Sequence, residues 1–216
     1  MRVAIKAVIW DFGGVFTTSP FEAFNRYEAS RGLPKDLIRT INATNPHENA
    51  WALFERNEID AAGFDVAFAE EAKALGHEVR GADVLPLLSG DLRPRVVAAL
   101  AEVKKHFTVA CITNNVQGAG HGAGMAATTE KAAKVAEVMA SFDAVIESSK
   151  IGIRKPDPKI YQMMCELLQI EPADCVYLDD LGVNCKPAAA LGMTAIKVTG
   201  EDQAMADLSR VTGLTL

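Results

Sequence analysis

Short apolar runs alternating with amphipathic stretches constrain this chain more than any other feature. Phe107–Ile112, Phe142–Glu147, Cys175–Leu178 and Thr194–Val198 each have the length of a strand. Around them lie helix-like stretches at Pro94–Lys105, Thr128–Ala140, Pro158–Leu168, Lys186–Leu191 and Asp202–Val211. Strands separated by helices predict an α/β fold, a doubly wound parallel sheet with both faces covered. An earlier run through Val8, Ile9 and Trp10 predicts one more strand, ending at Asp11 and two glycines, Gly13 and Gly14.

Between that first strand and the alternating region, the rhythm breaks. Phe21–Arg31, Lys35–Ile41, Glu48–Arg56 and Asp60–Leu75 read as helices, with no convincing strand among them. The expected organisation is a core built from residues 1–19 and 89–216, interrupted by an all-helical cap at 20–88. Glycines and prolines near both junctions supply plausible hinges. The glycine-rich run Gly118–Gly124 lacks the lysine of a phosphate-binding loop and reads as a mobile loop.

The 216 residues carry 22 basic and 28 acidic side chains, and the basic ones form no stripe, so nucleic acid is not an expected partner. Cys111, Cys165, Cys175 and Cys185 show no metal-site spacing and read as reduced thiols, with Cys111 and Cys175, in or beside apolar runs, as small buried hydrophobes. No apolar run has the length of a membrane span, and Met1–Trp10 reads as strand rather than as a targeting segment. A cytoplasmic protein is expected.

Four polar segments follow four predicted strands. They are Asp11, Thr113-Asn114-Asn115, Lys155 within Arg154-Lys155-Pro156-Asp157-Pro158, and Asp179-Asp180. In a doubly wound sheet these ends converge on one crevice. Each segment alone reads as a turn, a cap or a solvated loop; in this order and position they form a chemical set. Asp11 can attack phosphorus. Asp11 and Asp180, with Asp179, supply the hard oxygens that Mg²⁺ prefers. Lys155 offsets negative charge, and Thr113 and Asn114 can donate to phosphoryl oxygens.

On these residues the chain resembles the haloacid dehalogenase superfamily, in the subgroup with a helical cap inserted after the first motif. Ile146-Glu147-Ser148, Lys155-Pro156-Asp157-Pro158-Lys159-Ile160-Tyr161 and Leu178-Asp179-Asp180-Leu181-Gly182-Val183-Asn184 are similar to the amino-terminal phosphatase domain of soluble epoxide hydrolases. Lys186-Pro187-Ala188 to Gly192-Met193 and Val211–Leu214 extend the likeness. The part of such enzymes that opens epoxides finds no match in these residues. The resemblance implies a Rossmann-like core, a cap over the crevice, Mg²⁺ as cofactor and a small phosphorylated substrate. It also implies that the main-chain carbonyl of Gly13 joins the metal ligands.

Gly13 is where the chain departs from that pattern, since such phosphatases usually carry a second aspartate there as general acid and base. Its loss predicts a phosphatase suited to good leaving groups such as acyl, aryl or anomeric sugar phosphates. Thr17, Thr18, Ser19 and His47 are candidate proton donors in its place. A dehalogenase also lacks that aspartate, but Asp179-Asp180 does not suit one. A phosphonate-cleaving enzyme requires a cap lysine, for which Lys35 and Lys73 are candidates in name only. A phosphate-binding regulatory protein without turnover is the alternative from another class. Within the insertion Trp51, Phe54, Phe64 and Phe68 read as core, while Arg56 and His47 can face the crevice.

Overall fold

The protein is seen in a computed structural model that describes residues 5–117 and 128–216. Gly118–Gly124 lies outside the described residues. Five strands, β1 (Ala7–Trp10), β2 (Thr108–Thr113), β3 (Ala144–Glu147), β4 (Cys175–Asp179) and β5 (Thr194–Lys197), form one sheet in the order β3-β2-β1-β4-β5. Every pairing is parallel. The period-two geometry of a strand sends alternate side chains to opposite faces. Val8 and Trp10 of β1 join Val109, Cys111, Val176 and Leu178 on one face, while Ala7 and Ile9 join Ala110, Ile112, Cys175 and Tyr177 on the other.

Helices cover both faces, as near-continuous apolar strands require. On the Trp10 side lie helices Pro94–Val103, Thr129–Ala140 and Glu201–Thr212, contributing Leu100, Val138 and Leu208 among others. On the Ile9 side lie Pro158–Leu168 and Gly182–Ala190, contributing Ile160, Met164 and Ala188. The last of these corrects the expected start at Lys186. Pro187 sits inside the helix, giving up one main-chain donor there, and the helix begins at Gly182. The other helices and strands fall within a few residues of expectation. Thr128 and Asp157 cap the helices that follow them through side-chain oxygens, each bond worth about 1 kcal/mol.

The segment between β1 and the first covering helix contributes α1 (Pro20–Ser30), α2 (Leu37–Ala43), α3 (Ala50–Glu55), α4 (Ala61–Ala74) and α5 (Gly81–Val84), closed by a 3₁₀ turn at Leu85–Leu88. The short α5, the 3₁₀ turn and a one-turn helix at Ser148–Ile151 have too little apolar periodicity to be read from sequence. This helical insertion has its own apolar cluster, in which Phe24, Ile38, Phe54, Phe64 and Phe68 pack together, and Val116 from beyond β2 joins it. Its two connecting segments run side by side: Thr18 N donates to Asp91 O at 2.9 Å, and Arg93 N donates to Phe16 O at 2.8 Å.

Candidate active site

β1 sits at the centre of the sheet, with β2 on one side and β4 on the other, so the chain changes direction at the C-terminal end of β1. Loops leaving such a switch point diverge and open a crevice. All four motif segments meet there, around a cavity of about 620 Å³ roofed by the helical insertion. Asp11, Gly13, Thr113, Asn114, Lys155 and Asp180 line it.

Asp11 follows β1 directly, its main-chain N–H donating to Leu178 O at 2.8 Å. Its carboxylate accepts from Phe12 N at 2.7 Å and lies 2.6 Å from the Lys155 ammonium. Lys155 is 1% exposed, and it also donates to Asp179 Oδ2 at 2.8 Å. A buried ammonium is held only by such partners, and here the flanking carboxylates raise its pKa despite burial. Burial pushes the Asp11 carboxyl well up, against the pull of Lys155 and with a further push from Asp179 and Asp180.

The two aspartates after β4 have separate environments. Asp179 is fully buried and its acceptor sites are filled, by Lys155, the Tyr177 hydroxyl, Leu181 N and Asn184 Nδ2. Asp180 is half-buried and faces the crevice, its carboxyl pushed up to about 6 by burial and by the charge of Asp179. One oxygen from each of Asp11, Asp179 and Asp180 lies within 4.8 Å of the others. Three carboxylates against one ammonium leave a concentration of negative charge made of hard oxygen donors. That is a fit for a Mg²⁺-sized cation.

Both N–H groups of the Asn114 amide have protein acceptors, Glu55 Oε2 and Lys155 O, each at 3.0 Å. Its Oδ1 accepts from Lys155 N at 2.8 Å, so the amide fastens the Lys155 loop. Thr113 is buried at the end of β2 and lines the crevice. Gly13 lines it too, and a Cβ there would meet nothing within 4 Å. Gly14 is at φ +76, where a Cβ would overlap the Asp180 carboxyl.

The remaining candidates divide. Thr17 and His47 line the crevice, Thr18 is exposed with its hydroxyl accepting from Asp91 N, and Ser19 lines a smaller adjoining pocket. Arg56 turns away to Glu58 and His47 O. Lys35 and Lys73 are exposed and line neither pocket. Phe54, Phe64 and Phe68 are buried as expected, whereas Trp51 packs on Phe64 with its ring centroid 4.9 Å away and also lines the cavity. Two residues given no role from the sequence, Glu55 of α3 and Arg154, form an ion pair at 2.6 Å on the cavity wall. Glu55 lies in no recognisable pattern, and Arg154 enters the third motif segment only as the neighbour of Lys155.

The family model for haloacid dehalogenase-like hydrolases matches residues 5–192. Bifunctional epoxide hydrolase 2 of Sus scrofa is 39% identical over 227 residues, which cover 99% of this chain and 40% of that protein. The Mus musculus counterpart is 29% identical, covering 98% of this chain and 39% of its own length. The chain thus spans well under half of these relatives. A sesquiterpene phosphatase of Aspergillus oryzae is 25% identical and matches over 99% of this chain and all of its own length. Among solved structures, a family enzyme of Bacteroides thetaiotaomicron in complex with magnesium and inorganic phosphate superposes with a TM-score of 0.61 at 19% identity, covering 92% of this chain and 97% of that one. A parallel sheet whose motif residues meet at its switch point, a helical insertion above them and a family match across most of the sequence lead to one assignment: the chain belongs to the haloacid dehalogenase-like hydrolases.

Proposed function

We propose that the protein is a Mg²⁺-dependent phosphatase working through an aspartyl-phosphate on Asp11, with a small phosphorylated molecule as substrate. The observation that carries this reading is the Asp11–Lys155–Asp179 cluster beside Asp180, at the floor of the crevice. The core is taken as residues 1–19 and 89–216, and the insertion at 20–88 serves as its cap.

Asp180 and Asp11, with the Gly13 carbonyl, would hold the metal. Asp179 is saturated by its neighbours and fixes Lys155 instead. A bound Mg²⁺ supplies positive charge to the phosphoryl oxygens and to Asp11. Asp11 Oδ attacks phosphorus, the bond to the leaving oxygen breaks with its electron pair, and that oxygen departs as an anion. Water then attacks the phosphoaspartate and releases inorganic phosphate, restoring Asp11. Lys155 stabilises charge on the transferring group, Thr113 donates its hydroxyl to a phosphoryl oxygen, and Asn114 keeps Lys155 in place.

With Gly13 in place of the usual acid, nothing two residues after Asp11 protonates the leaving oxygen. Substrates whose leaving group is a stable anion are therefore favoured, and Phe12, Phe21, Phe24, Trp51 and Leu88 on the cavity wall suit an apolar organic group. The test is hydrolysis of p-nitrophenyl phosphate with Mg²⁺ and with EDTA, wild type beside Asp11→Asn. Turnover that needs both metal and Asp11 is the expected result. Undiminished turnover in Asp11→Asn would sink the covalent route, and none in wild type would favour a phosphate-binding role.

A further inference from the structure

We propose that Glu55 is a positioning residue, a latch through which the docked helical insertion holds the Lys155 loop in its working place. Where this concerns turnover it rests on the phosphatase reading above; the contact itself does not.

Glu55 ends α3 in the insertion, yet it is buried among core residues, 7% exposed. Its main-chain carbonyl accepts from Ser148 Oγ at 2.7 Å. Its Oε2 accepts from Arg154 Nε at 2.6 Å and from Asn114 Nδ2 at 3.0 Å. Arg154 in turn donates through Nη1 to Pro46 O at 2.8 Å, so the guanidinium is gripped by two parts of the insertion. Guanidinium geometry, with fixed and divergent donors, suits that double grip. Apart from the segments that enter and leave the insertion, the hydrogen bonds joining it to the core among the described residues all pass through Glu55 or Arg154.

The core partners are not peripheral. Arg154 is the residue before Lys155, and Asn114 brackets Lys155 by accepting from its N–H and donating to its carbonyl. From Glu55 the connection therefore runs through Asn114 and the Lys155 main chain to an ammonium 2.6 Å from Asp11. Val116 adds apolar contact between the same two bodies close by. A buried carboxylate with two polar partners is costly unless both are kept. Docking of the insertion and correct placement of the loop are thus satisfied by one set of bonds.

The test compares wild type, Glu55→Ala, Glu55→Gln and Arg154→Ala by amide hydrogen exchange and by p-nitrophenyl phosphate kinetics. Exchange in peptides covering residues 153–157 is expected to speed up roughly tenfold in Glu55→Ala, with helix 201–212 unchanged. The kcat is expected to fall roughly 10–100-fold with little change in KM. Glu55→Gln keeps an acceptor oxygen and should recover much of both effects. Arg154→Ala should resemble Glu55→Ala, and the double variant should lose little more, as coupled partners do. Unchanged exchange at 153–157 in folded Glu55→Ala or Arg154→Ala, or faster exchange spread over the whole protein, overturns the latch. If Glu55→Ala does not fold, Arg154→Ala decides by the same measure. A wild type without turnover overturns the phosphatase reading, while the exchange result still decides the latch.

Discussion

The Lys155 ammonium lies 2.6 Å from Asp11 Oδ1, and only 1% of the lysine is exposed to solvent. One cation therefore joins Asp11 and Asp179 beside Asp180, and removing it leaves buried carboxylates facing one another. Lys155→Met is expected to abolish turnover. It is also expected to lower unfolding free energy by about 3–5 kcal/mol, the usual cost of orphaning a buried ion pair. Urea denaturation in EDTA measures this, and a variant as stable as wild type would contradict it.

Neighbouring glycines predict opposite outcomes. A side chain at Gly13 meets open space, so Gly13→Asp is expected to fold normally and to raise turnover of alkyl phosphates by ~10²-fold or more, the scale of general acid–base help. Aryl phosphates, whose leaving groups need no proton, should gain little. Gly14→Ala instead combines a left-handed backbone with overlap on the Asp180 carboxyl, and is expected to lose activity toward both substrates. Steady-state kinetics on an alkyl and an aryl phosphate separate the two cases.

Much of this site was legible because its residues end strands. Asp11, Thr113 and Asp179 close apolar runs, and a run of strand length fixes where its last side chain emerges. Lys155 was legible through the proline-bracketed motif around it. Glu55 was not, because its partner Arg154 lies 99 positions away and a Glu followed by Arg at a helix end reads as solvated. Trp51 was read as core since helical spacing reports burial without showing which wall of a cavity is covered. Pro187 drew the expected helix start toward itself, as a first-turn proline does, although here tertiary packing carries it inside the helix.

Protons and Mg²⁺ are expected to compete at the acidic cluster. Burial and Asp179 push Asp180 up to about 6 from an ordinary value of 3.8, so the metal-free folded state binds that proton more tightly than the unfolded chain. Its contribution is fully present below pH 4 and is lost as pH rises through 6. Without metal, the Asp180 contribution should make Asp180→Asn gain relative to wild type as pH rises from 5 to 7. With Mg²⁺ at a hundredfold excess over Kd, wild-type Tm at pH 7 should rise by roughly 5–10 °C, and less at pH 5. Scanning calorimetry at both pH values is the check, and a metal effect independent of pH would argue against carboxylate binding.

The adjacent aspartates should separate when each is changed to asparagine. Asp179 accepts from Lys155, Tyr177, Leu181 and Asn184 inside the protein, so Asp179→Asn exchanges a charged acceptor for an amide that cannot satisfy all four donors. It is expected to lose about 2–4 kcal/mol of stability, because buried partners are left unpaired. Asp180 faces the crevice and meets no such ring of donors, so Asp180→Asn should fold at least as stably without metal and lose the Tm rise on adding Mg²⁺. Both variants should be slow in turnover, for different reasons: one misplaces Lys155, the other weakens the metal. Urea denaturation in EDTA and Mg²⁺ titration by calorimetry distinguish them, and an Asp180→Asn protein that keeps full Mg²⁺ affinity would move the metal to Asp179.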